Sequence, residues 1–179
     1  MLLAALILAA AAPPPAIVLT DLPTERPPQP MEVVVVRDPI TDAVRAWAVV
    51  REDGNRLVVG CDPAEHAGVR ISFHARRWLA PGNLLTGQRP VVYRFGDLPP
   101  VRMMWDVEDR RGRLSDPPRE RSFLDHLLVA ERLAIRARDI EGNRFDMVFR
   151  LVAVRPAVEH ALAACAAAAP EPRWRRRPR

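Results

Sequence analysis

Ser122, Asp125 and His126 are the nearest thing in this chain to a hydrolytic grouping. A hydrolytic triad needs its histidine held between a nucleophile and an acid by separate elements. Three residues within about one helical turn do not meet that requirement. Ser122 is expected to cap a helix instead, with Asp125 and His126 on its wet face. His66, His74, His126 and His160 lack the short spacing of a zinc site, and no glycine-rich phosphate loop occurs. Asp106, Glu108 and Asp109 form a small acidic cluster that Arg110 and Arg111 neutralise. The sequence therefore assigns no catalytic residue, no metal ligand and no cofactor.

Two cysteines remain, Cys61 and Cys165. A redox pair would normally be Cys-x-x-Cys, and two cysteines without a nearby histidine pair make a poor metal site. In an exported chain an even cysteine count suggests a structural disulfide; two separate buried thiols are the alternative.

The elements that position these residues are mostly strands. The richest stretch is Pro90 to Trp105, where Val91, Tyr93 and Phe95 alternate with Val92 and Arg94 ahead of the turn formers Gly96-Asp97-Leu98-Pro99-Pro100. It predicts two strands and a short loop near the middle of a sheet. Glu32–Arg37, Ala43–Val50, Arg56–Cys61, Val69–His74, Leu133–Ala137 and Arg144–Val154 are further strands, with Glu52-Asp53-Gly54-Asn55 as a hairpin turn. Residues 75–88 are expected to be loop with one helical turn near Trp78, and residues 108–118 a polar connection. Helices are expected over about 122–132 and 156–168. The fold class is α+β: a mainly antiparallel sheet or sandwich with two packing helices.

Residues 31–168 are read as one domain, a size that buries a real core. Met1–Ala12 is apolar and ends in small residues, as a signal peptide does, and is shorter than the roughly 20 residues that span a bilayer. Residues 13–30 are a proline-rich lead-in, expected to be disordered. The chain is thus expected to be exported, periplasmic or secreted, and not membrane-spanning once processed. The net charge is +5, and five arginines against one glutamate in the last ten residues leave the rest near neutral. A specific nucleic-acid partner is not expected, because the folded body shows no basic excess. The tail, also expected to be disordered, holds Arg173, Trp174, Arg175, Arg176, Arg177 and Arg179, a combination able to make weak contact with an anionic surface.

The order of landmarks carries a resemblance. Asp38-Pro39-Ile40-Thr41-Asp42 is followed by Leu57-Val58-Val59-Gly60-Cys61, Val92-Tyr93-Arg94-Phe95 and Trp105. Phe123-Leu124-Asp125-His126-Leu127, Leu133-Ala134-Ile135-Arg136, Phe149-Arg150-Leu151 and a helix into Cys165 come next. Over residues 38–165 this resembles the VasI-type envelope proteins associated with bacterial type VI secretion. Gly60 stands where that family tends to have arginine, and Asp97 lies one step late. The resemblance implies a secreted or periplasmic accessory protein without known catalytic residues.

The function expected is contact with an unidentified envelope protein, through a surface including Tyr93, Arg94 and Trp105. A small-ligand binder with its pocket between the sheet and the helix at Phe123 is the alternative, and a cryptic hydrolase is the third reading.

Overall fold

The computed structural model describes residues 30–61 and 69–168. The apolar run at 1–12, most of the proline-rich segment and the arginine tail lie outside them.

Nine strands and two helices follow in chain order: β1 (Glu32–Arg37), β2 (Val44–Glu52), β3 (Asn55–Cys61), β4 (Val69–His74), β5 (Gln88–Phe95), β6 (Val101–Glu108), β7 (Arg111–Leu114), α1 (Pro117–Leu127), β8 (Arg132–Arg138), β9 (Arg144–Arg150) and α2 (Val154–Ala168). The strands form one antiparallel sheet, not a sandwich, in the order β1-β2-β3-β4-β7-β6-β5-β8-β9. Its two ends approach each other. Arg150 Nε on β9 donates to Glu52 Oε1 on β2 at 2.9 Å, and Met31 N–H donates to Val152 O at 3.2 Å.

The period-2 pattern divides each strand between core and solvent. Leu57 and Val59, Ile71 and Phe73, Tyr93 and Phe95, Leu133 and Ile135, and Met147 and Phe149 all face inward and are buried. Trp105 lies among them, with ring centroids 5.3 Å from Phe73 and 5.7 Å from Phe123. Phe123 also meets Tyr93 and Phe95, each at 4.9 Å in edge-to-face contact, the geometry that aromatic quadrupoles favour. This cluster seats α1 on the sheet. Its size needs a gap: a Cβ on Gly112 would overlap the Phe73 ring.

Several boundaries differ from the sequence reading. The first helix begins at Pro117, with Asp116 as its N-cap accepting from Arg119 N–H at 3.4 Å. Ser122 is therefore mid-helix and caps nothing. Two prolines at the first positions fit the first turn, where backbone N–H groups have no helical partner; they start the helix rather than ending a loop. The same helix stops at Leu127, not at residue 132. Strand β7 lies within the stretch expected to be a polar connection, because its arginines face outward while Gly112 and Leu114 turn in. No helical turn forms at Trp78; Leu79 instead makes an isolated antiparallel bridge with Asp139. The second helix begins at Val154, two residues early.

Cys61 and Cys165 form a disulfide, with Cα atoms 6.4 Å apart. It joins the end of β3 to α2, and Val158, Ala161 and Cys165 bury that helix's face.

Candidate functional site

The hairpin that begins at β5 and the start of α1 enclose a groove at one end of the sheet. Its floor is Tyr93, Phe95, Leu98, Pro99, Val101 and Met103, and Arg94, Arg119, Ser122 and His126 stand at its rim. The volume is about 520 Å³ and the lining is largely apolar. Gly96 holds φ +48° at the turn out of β5 that leads to Leu98. Leu98 and Val101 remain 49% and 41% exposed, so the groove is open to solvent.

The rim chemistry follows from helix geometry. His126 stacks on Phe95 at 5.8 Å, and its Nδ1–H donates to Ser122 O at 2.7 Å. That bond fixes the imidazole against its own helix and engages the backbone carbonyl of Ser122 rather than its hydroxyl. Ser122, Asp125 and His126 thus share a helix without assembling a triad. Arg119 pairs with Asp116 at 3.1 Å. Burial pushes the Tyr93 phenol above its ordinary pKa, and the positive charge of Arg119 opposes that shift.

Of the three residues expected to form a contact surface, Arg94 alone is exposed. Trp105 is fully buried and belongs to the core, and Tyr93 is 6% exposed with only its edge on the groove floor. Their alternation with polar neighbours marked a half-wet strand, but the wet face belongs to Val92, Arg94 and Arg102. Leu98, Val101 and Met103 were missed as groove residues. The exposed apolar pair Leu98 and Val101 flanking Pro99-Pro100 was the available signal.

Other candidate groups are spread apart. His74 lies on the outer face, paired in register with Arg56 and Arg111; burial first, and those two charges second, hold its pKa below the ordinary histidine value. His160 is exposed on α2, and His66 lies outside the described residues. Asp106 pairs with Arg113 at 3.4 Å and accepts from Ser115 Oγ, while Asp109 occupies the β6–β7 turn at φ +52°. No group of three or more potential metal ligands occurs among the described residues. No described helix is long and apolar enough to cross a membrane.

The charges of the folded body, near neutral in sum, are unevenly placed in space. The nine strands carry fifteen arginines against five carboxylates, and nearly all the arginines point outward. Loops and helices hold most of the acids. Arg102, Arg136, Arg138 and Arg144 line a shallow outer groove of about 350 Å³, and Arg136 is paired with Asp146 at 2.7 Å.

No family model, curated protein or solved structure matches the chain.

Proposed function

We propose that this is a non-enzymatic exported domain that works by contact in the cell envelope, seating an extended apolar segment of a partner protein in the groove between the β5–β6 hairpin and α1. The observation that carries the proposal is the groove itself: an open, apolar floor with Leu98 and Val101 presented to solvent and Arg94 unpaired among the described residues at its rim. Exposed apolar patches ringed by polar groups mark interaction sites. The helix–sheet interface beside it is closed, with Phe123 1% and Leu127 0% exposed, which favours a surface contact over an enclosed ligand. Export is supported by the disulfide, a bond that persists in oxidising compartments, and by the apolar leader. A periplasmic or secreted location beside type VI secretion machinery rests on the resemblance to VasI-type proteins.

The second reading is a small apolar ligand in the same groove, favoured by its volume, which lies in the range of small-molecule sites. Photo-crosslinking from position 98 in intact cell envelopes separates the two. A protein adduct of discrete mass that Val101→Arg abolishes is expected. An adduct of only a few hundred daltons would transfer the groove to the small-ligand reading, and no Val101-dependent adduct of either kind would reject both.

A further inference from the structure

The end of the sheet opposite the α1 groove carries a second exposed apolar feature. Between β4 and β5, residues 81–87 form a turn whose tip presents Leu84 and Leu85 at 102% and 93% exposure. The turn is tightly held. Asn83 Oδ1 accepts from Leu85 N–H at 2.8 Å, Asn83 O accepts from Gly87 N–H at 2.7 Å, and Asn83 N–H donates to Gln88 O at 2.9 Å. Gly87 O accepts from Val107 N–H at 3.0 Å, which anchors the base to β6. Gly82 packs so closely on the Gly87 carbonyl that a Cβ there would overlap it. Two leucines are therefore held out in water by a built scaffold.

The same end carries Trp78, 48% exposed, and Ile140, 62% exposed; Ile140 N–H donates to Trp78 O at 3.2 Å. Arg110 lies over the Trp78 ring at 4.9 Å, and Arg89 Nε donates to Pro81 O at 2.8 Å at the base of the turn. The arginine-lined outer groove opens just above, where Arg138 and Arg144 flank the β8–β9 turn. Of the carboxylates at this end, Asp139 is buried, accepts from Glu141 and Asn143 N–H and pairs with Arg77, and Glu141 accepts from Asn143 Nδ2, while Glu108 and Asp109 sit at the β6–β7 turn beside Arg110 and Arg111.

We propose that this end docks on a phospholipid bilayer bearing anionic headgroups, with Leu84 and Leu85 entering the boundary between headgroups and acyl chains. Trp78 and Ile140 then lie at headgroup level, where tryptophan is favoured, and the arginines face lipid phosphates, which guanidinium groups bind bidentately. A convex tip of two fully exposed leucines fits insertion into a fluid interface better than it fits a preformed protein pocket, and the cationic wall supplies the charge complementarity. The surface is separate from the α1 groove, and the proposal stands without the contact function assigned to that groove.

The test is co-sedimentation of the full oxidised chain with vesicles of phosphatidylcholine alone or mixed equally with phosphatidylglycerol. Binding is expected only to the mixed vesicles, falling as salt is raised. L84S/L85S is expected to weaken it by about tenfold or more, given the apolar area withdrawn. Ile40→Ser is the control: Ile40 is 91% exposed but sits in the β1–β2 turn at the other end, so binding should persist. Arginine-to-glutamine changes at residues 175–177 test the tail. The proposal is overturned if those changes abolish binding while L84S/L85S leaves it intact. It is equally overturned if vesicles bind nothing and the leucines instead drive self-association on gel filtration.

Discussion

Gly60 lies beside Trp47 of the neighbouring strand, in register with it across the β2–β3 pair. A Cβ at Gly60 would overlap Ala46 O and press on the Trp47 ring. The indole thus occupies the space a side chain would need, and an arginine at this position has no room while Trp47 stays. Gly60→Ala is expected to destabilise the fold by about 3 kcal/mol, as overpacking against backbone does, measured by urea unfolding. A change within a few tenths of a kcal/mol would mean that the strand pair yields easily. Trp105 carries a related lesson. Its position in an aromatic stretch was legible, but whether it served surface or core was not, since alternation gives two faces without saying which is covered. Phe73 and Phe123, distant in sequence, cover it.

At the scale of elements, strands were legible and the first helix was displaced. Period-2 alternation located the strands within a few residues, because one face of each is buried. Helix α1 was misplaced because Pro117-Pro118 resembles a loop, yet proline suits a first helical turn. The cap is Asp116, so Asp116→Ala is expected to cost about 1 kcal/mol in urea unfolding. Ser122→Ala should cost less than about 0.5 kcal/mol, being an exposed mid-helix change. The reverse ranking would return the cap to Ser122. Strand β7 is only four residues long, and its arginines concealed it. It pairs with β6 through a tight turn and with β4 on its other side, and the second pairing lies in no local window.

For the whole molecule, the disulfide and the Glu52–Arg150 ion pair do different work. The ion pair joins β2 to β9 across a sequence separation of 98, with both side chains mostly buried. The disulfide closes a loop of 104 residues between β3 and α2. In the chain-entropy model such a loop stabilises by about 4 to 5 kcal/mol. Replacing both cysteines with alanine should therefore lower the melting temperature by about 10 °C or more. An unchanged melting temperature would show that α2 docks without the bond.

The sequence by itself determined the α+β class, most of the strands and the disulfide partners. These follow from local periodicity and from having only two cysteines to pair. Tertiary structure alone decided the single curled sheet, the groove beside α1 and the clustering of Trp78, Leu84, Leu85 and Ile140 at one end. The reason is that sequence summation mixes loop carboxylates with strand arginines and reports near-neutrality, whereas the sheet sorts them in space. A surface is made by strand order, and strand order depends on contacts between residues far apart in the chain.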